Sequence, residues 1–269
     1  MSERQGGRGS ASDQLERRNL IADRVVARGS ATVEDLANAM GVSVMTIYRD
    51  VAALEEAGLV QRNRGTVSAL ATGLHEASAS FRLGQNVPQK RALGEAVARH
   101  VSPGMSLMID DSTSGVWALR AMAGLTPLTV ITNSLLVARE VEHSTGVRLL
   151  VAGGSYEAWA ESLMGSATVG MIHDLRADVA VISASGISEG RCFHPHSDAS
   201  QIKQAMLASS RTRYLILDHT KFRRRALHAF ASLTDFDVVF TDDGIDDGVR
   251  QRLDDLGVPL EVVPVRDDA

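Results

Sequence analysis

From Leu15 onward apolar residues recur at helical spacing: Leu15, Ile21, Val25 and Val26 approximate one face, and Gly29 ends the run as a C-cap does. Thr32 offers a cap for a short helix over Val33 to Met40, with Asp35 three residues on in the manner of a capping box. Gly41-Val42-Ser43 is a tight turn, and Ser43 caps a further helix to about Ala57 whose buried face carries Val51 and Leu54. Gly58 stops that helix, and Leu59 to Val67 reads as two short strands around the polar tip Asn63-Arg64-Gly65-Thr66. Three helices and a hairpin predict a winged helix-turn-helix over residues 13–70. The preceding residues 1–12, rich in Gly, Ser and Arg, predict a disordered tail.

Residues 71–89 read as a polar, Ala-rich linker interrupted by Pro88, and a helix is expected from Lys90 to about His100. Apolar strand candidates then recur at Ser106 to Ile109, Leu128 to Ile131, Val147 to Val151, Val179 to Ile182, Tyr214 to Leu217, Val238 to Thr241 and Leu260 to Val263. Helical segments lie between many of them. This alternation predicts, for residues 90–269, a mostly parallel α/β domain with both sheet faces covered. Ligands of such sheets bind beyond the carboxyl ends of the strands.

A length of 269 residues suits two cores, and 44% hydrophobic with 23% charged residues excludes a collagen-like or wholly disordered chain. No apolar run reaches bilayer length and the N-terminus lacks a hydrophobic signal segment, so a cytoplasmic protein without a membrane partner is expected. The single cysteine, Cys192, has no intrachain partner. Through Thr72 nine Arg balance nine Asp or Glu, so the formal charge of -5 falls on the rest of the chain. Any affinity for DNA must therefore come from a few arginines gathered on one face.

Leu36, Ala37 and Met40 can pack against Ile47 and Val51 while Gly41 turns the chain. The second helix then exposes Ser43, Met45, Thr46, Tyr48 and Arg49 at its N-terminal end, the end that meets base edges in a major groove. Arg62 and Arg64 flank the wing tip. Leu36-Ala37, the run Val42 to Val51 and Leu54-Glu55-Glu56-Ala57-Gly58 closely resemble the DeoR family of bacterial transcriptional regulators. The resemblance implies that Thr46 and Arg49 contact double-stranded operator DNA and that Asp50 organises the helix. Tyr48 stands where the family commonly has arginine, and Asn63-Arg64-Gly65-Thr66 replaces its usual His-Gly-Gly tip. Tyr48 either touches DNA or packs beside the wing, and a protein-docking module is the alternative for the whole trio.

Asp110, Asp111, Ser112, Thr113 and Ser114 follow a strand and precede a helix expected near Val116, where amides and hydroxyls can cradle a phosphate. Thr132-Asn133-Ser134, Gly153-Gly154, Ser183 to Ile187 and Asp218 to Phe222 end further strands and can converge on the same mouth. These segments resemble the family's sensor domain, whose fold is similar to ribose-5-phosphate isomerase, and the resemblance implies a phosphorylated sugar as effector. It assigns to effector binding the loop Asp110 to Ser114, which matches the family's Asp-Ser-Gly-Thr-Thr, together with Asn133, Gly153, Gly154, Ser185, Gly186, Lys203 and Lys221. Asp198 stands where the family usually has Glu. The spacing in Cys192-Phe193-His194-Pro195-His196 matches no standard zinc pattern, so neither metal nor cofactor is expected.

The isomerase likeness keeps open an alternative, a sugar-phosphate isomerase-like enzyme with an accessory DNA-binding domain. Isomerisation needs a positioned general base, and Ser183-Ala184-Ser185-Gly186-Ile187 carries no acid, so no catalytic residue is assigned. The expected protein is a repressor of sugar-metabolism genes. One winged helix covers little DNA, which implies a homodimer or homotetramer.

Overall fold

The computed structural model describes residues 11–70, 76–142 and 144–266. The expected tail lies outside these residues except for Ala11 and Ser12, which open the first helix. The chain divides into two compact units, Met1–Ala77 and Ser78–Ala269.

The smaller unit runs α1 (Ala11–Arg28), β1 (Ser30–Thr32), α2 (Val33–Met40), α3 (Val44–Glu56), β2 (Val60–Asn63) and β3 (Thr66–Ala69). Thr32 accepts the Asp35 amide at 3.1 Å and Ser43 that of Thr46 at 3.2 Å, so both expected caps form. Gly41, at φ 65°, reverses the chain between α2 and α3. Ile21, Val25, Leu36, Ile47, Val51 and Leu54 are fully buried where the three helices meet. Strand β1, three residues long and too short to show a period, pairs antiparallel with β3 and extends the wing to the order β1-β3-β2. A charged group joins the helices: Asp50 on α3, fully buried, accepts Arg17 Nε at 2.6 Å and Arg18 Nε at 3.0 Å from α1.

The larger unit begins with α4 (Ala79–Leu83), α5 (Val87–Ala98), β4 (Ser106–Ile109), α6 (Thr113–Ala121), β5 (Leu128–Thr132), α7 (Leu135–Glu142) and β6 (Val147–Val151). It continues through β7 (Ser155–Glu157), β8 (Ser162–Met164), α8 (Ser166–His173), β9 (Ala177–Ile182), β10 (Gly186–Ser188), β11 (Arg191–His194) and α9 (Ser197–Ala208). It closes with β12 (Ser210–Leu217), β13 (His228–Ser232), β14 (Val238–Asp242), α10 (Asp247–Asp255) and β15 (Leu260–Val263). The compact unit thus begins at Ser78, ahead of the position 90 read from sequence. Helix α4 falls inside the expected linker, and α5 starts three residues before Lys90, because Pro88 occupies a first-turn position where a missing N–H costs nothing.

All seven expected strands lie in one parallel sheet of order β15-β14-β12-β9-β4-β5-β6. Met108, Ile182, Ile202 and Leu215 fill the core on one face, and Leu93, Leu107, Ile109 and Ile216 that on the other. The hairpin β7-β8 and the antiparallel trio β10-β11-β13 are separate small sheets of short strands. The chain winds outward from β4 through β5 to β6, then returns to the other side of β4 with β9 and winds outward again. In such sheets ligands bind in the crevice outside the carboxyl ends of the strands at this reversal, here those of β4 and β9.

Asp50→Ala removes two charge-assisted bonds at the α1–α3 contact and should destabilise the smaller unit by about 2 to 4 kcal/mol. Calorimetry should show its transition moving down in temperature while that of the larger unit stays in place.

Candidate functional site

On the smaller unit the N-terminal end of α3 is presented to solvent. Ser43, Met45 and Arg49 are exposed, Thr46 and Tyr48 half-buried, and the Ser43 and Thr46 hydroxyls lie 2.9 Å apart. Tyr48 packs beside the wing, with the Arg62 guanidinium 5.2 Å from its ring centroid. Glu55 holds the same strand by accepting the Arg62 amide at 2.6 Å, with the Arg62 side chain 3.9 Å away. Arg64 is exposed at the tip in the left-handed region, φ 47°, where a residue with a Cβ is under strain. The seven residues singled out for DNA thus occupy the start of α3 and the adjoining wing.

In the larger unit a buried ion triad stands at the carboxyl ends of β4 and β9. Asp110, which follows β4, accepts the Ser112 amide at 3.0 Å and, across the strand reversal, the Ser183 amide at 2.9 Å. Lys203 on α9 donates to Asp110 and, at 3.2 Å, to Asp111. Asp110, Asp111 and Lys203 are 0%, 4% and 2% exposed, so water does not screen the triad. Burial alone would raise the Asp111 carboxyl, but the charge of Lys203, helped by His194 and Arg82, outweighs it and holds the group below the usual carboxylate range. Burial likewise opposes the Lys203 ammonium, and the two carboxylates outweigh it, so that its pKa is raised. Lys203, expected as a ligand for phosphate or sugar oxygens, is here committed to two protein carboxylates.

Helix α6 begins at Thr113, ahead of the expected Val116, because Ser112 caps it by accepting the Gly115 amide at 3.0 Å. Thr113 and Ser114 therefore belong to the first helical turn, and both are buried. Thr113 meets a residue that the sequence reading passed over: Lys90 on α5 donates to the Thr113 hydroxyl at 2.9 Å and to the Arg82 carbonyl on α4. The helices approach closely here; a Cβ on Gly94 would stand 2.7 Å from the Trp117 carbonyl. Burial first, then the neighbouring charges of Lys221, Arg82 and Arg224, opposed by Asp218, bring the Lys90 pKa down to about 7. A signal was available in the sequence, since Lys90 shares the helical spacing of buried Leu93 and Val97.

The remaining candidates ring the same strand ends. Asn133 is fully buried and its Nδ2 donates to the Leu163 carbonyl at 3.0 Å, while its Oδ1 has no protein partner. Gly153 is exposed and its carbonyl accepts the Thr168 hydroxyl at 2.7 Å. At Gly154, φ 156°, a Cβ would lie 2.1 Å from that hydroxyl, so only glycine fits. The Ser185 amide donates to the Phe193 carbonyl at 3.0 Å, and Gly186 starts the pairing of β10 with β11. Lys221 is half-buried beside Asp218, whose carboxyl burial would raise; Lys221, Thr220, Arg224 and Lys90 together keep it low. His196 stacks on Trp159 with centroids 4.3 Å apart, and buried His194 accepts the His196 amide. Cavities of about 470 Å³ beside α10 and about 520 Å³ at the amino ends of β4, β5 and β6 lie away from this cluster.

Residues 17–72 match the DeoR-like helix-turn-helix domain and residues 85–243 the DeoR C terminal sensor domain. The chain is 31% identical to the uncharacterized HTH-type transcriptional regulator YgbI of Escherichia coli K12, over 89% of this chain and 94% of that one. It is 30% identical to the glycerol-3-phosphate regulon repressor of the same strain, over 93% and 99%. Among solved structures, ribose 5-phosphate isomerase A from Methanocaldococcus jannaschii aligns over 51% of this chain and 55% of that one, with 13% identity and a TM-score of 0.37.

Lys203→Met leaves Asp110 and Asp111 buried together without their cation and should destabilise the larger unit by about 3 to 5 kcal/mol at neutral pH. The pH dependence should also reverse. In the parent chain Asp111 is depressed, so its stabilisation is present above the ordinary carboxylate pKa and is lost as pH falls through the folded value. In the variant burial of Asp111 is no longer opposed by Lys203 and raises its carboxyl, so stability should increase on acidification from about pH 7 towards about pH 4, read as urea midpoints across a pH series.

Proposed function

The chain belongs to the DeoR family of DNA-binding transcriptional regulators, and on that premise we propose that it represses its target genes until a phosphorylated sugar or related metabolite occupies the crevice at β4 and β9. The observation that carries the effector reading is the convergence, at the strand reversal, of Asp110, Asn133 and the Ser112-capped start of α6 with the cations Lys90 and Lys221. Carboxylate and amide oxygens suit sugar hydroxyls; ammonium groups and first-turn amides suit a phosphoryl group. A relative that represses a glycerol-3-phosphate regulon supports the same ligand class. The family's role in regulation, together with the acid-free segment Ser183 to Ile187, sets the isomerase alternative aside.

Ser43, Met45, Thr46 and Arg49 read base edges in this proposal, with Arg62 and Arg64 on the neighbouring backbone and Tyr48 holding Arg62 in place. A homodimer or homotetramer presents two such surfaces to paired half-sites. An effector that binds one arrangement of the sensor more tightly than another shifts the population between operator-competent and operator-incompetent assemblies.

Arg49→Ala should weaken operator binding by about 1 to 3 kcal/mol and relax specificity at one position, whereas Arg64→Ala should weaken binding similarly on all sequences. Unchanged affinity of Arg49→Ala in a gel-shift titration would take Arg49 off the reading surface. Thr113→Ala combined with Lys221→Ala should keep operator binding and lose release by a panel of sugar phosphates; release at the parent concentration would move the sensory site elsewhere.

A further inference from the structure

Lys90 is the chemically conspicuous group at the crevice. It is 4% exposed, lies on the apolar stripe of α5, and has no carboxylate among its hydrogen-bond partners, which are the Thr113 hydroxyl and the Arg82 carbonyl. Lys203, nearby and equally buried, has two carboxylates. The charges facing Lys90 are mostly of its own sign: Lys221 and Arg224 from the segment after β12 and Arg82 from α4, against Asp218 alone. A buried cation in a cationic neighbourhood is costly to keep, and an arriving anion relieves that cost. The opposite bank, the first turn of α6, supplies backbone N–H groups and the positive end of a nine-residue helix.

We propose that Lys90 is an effector-binding residue: its ammonium, seated between the Thr113 hydroxyl and the Arg82 carbonyl, receives the ligand's phosphoryl group at the start of α6 and makes the docking of α4 depend on occupancy. This deepens the effector reading above and rests on it. The division of labour follows from the contacts. Lys203 fixes Asp110 and Asp111 in position, while Lys90, Thr113 and Lys221 take the anion. Anion binding keeps Lys90 protonated, and a charged ammonium is a stronger donor than an amine, so the bond to the Arg82 carbonyl tightens. Helix α4 is the first element of the sensor unit, and Trp117 on α6 also holds it, donating through Nε1 to the Leu83 carbonyl at 3.3 Å. Occupancy is thereby registered at the end of the unit that leads to the DNA-binding segment.

The full-length protein is titrated with sulfate, a phosphoryl mimic of constant charge across the pH range used, against chloride of matched ionic strength. Binding is read by calorimetry, and amide exchange is followed over residues 79–83. The parent chain should bind sulfate about tenfold more weakly at about pH 8 than at about pH 6, because a Lys90 of pKa about 7 must first take up a proton. Sulfate should also slow exchange in α4. Lys90→Met, an uncharged side chain of similar length, should weaken binding at least about tenfold at about pH 6 and abolish the slowing. Lys90→Arg, charged throughout, should bind with little change between the two pH values. Equal sulfate affinity in the parent and Lys90→Met would overturn the assignment of Lys90 and leave the effector reading standing if Thr113→Val still weakens binding. A parent chain with no sulfate-specific response would overturn both.

Discussion

Everything in the sensor unit is arranged around one carboxylate. Asp110 stands where the winding of the sheet reverses, and its two oxygens accept from the segments following β4 and β9 and from Lys203 on α9. Strands β4 and β9 are central and buried on both faces, so a charge at their ends is tolerable only when it is paired and hydrogen-bonded. The neighbouring Asp111 shares the lysine. The strand reversal is therefore held in shape by buried ionic contacts, and Lys90, Thr113 and Lys221 lie beside them.

The DNA-binding unit uses the same device on a smaller scale. Asp50 is as buried as Asp110, but its partners Arg17 and Arg18 are partly solvated, so the clamp fixes the angle between α1 and α3 with less desolvation. In both units a single buried acid joins elements that are distant in sequence. Ser43, Met45 and Arg49 stay exposed because Asp50, Ile47 and Val51 on the other side of α3 supply its packing.

How much of this could be read beforehand depended on length and period. The seven sheet strands were legible because each is four or more residues long and rich in aliphatic or aromatic residues, whereas β1, β7, β8 and β10, at three residues each, hold no period to detect. Pro88 was read as a break because a proline inside a helix and a proline in its first turn look alike until the start of the helix is known. The candidate site was legible through motifs shared in chain order with the family, which singled out Asp110 to Ser114 and Lys203. The partnerships were not: nothing in sequence tells Lys203, locked to two acids, from Lys90, held by a hydroxyl and a carbonyl, because the difference arises from elements brought together in space.

The separation of Asp110 from Lys203 also orders events during synthesis. The two residues are 93 positions apart, and the Ser183 amide that shares the carboxylate is 73 positions away. Strands β4, β5 and β6 emerge first and can pair among themselves, but one edge of β4 stays open until β9 arrives. Throughout that interval the nascent sheet shows an apolar edge next to an uncompensated acid. A charge beside an open strand disfavours its pairing with other chains. Once α9 follows β9 out of the ribosome, Lys203 is available to compensate the same carboxylate, so the charge at the reversal is paired only when the last of its three partners has been made.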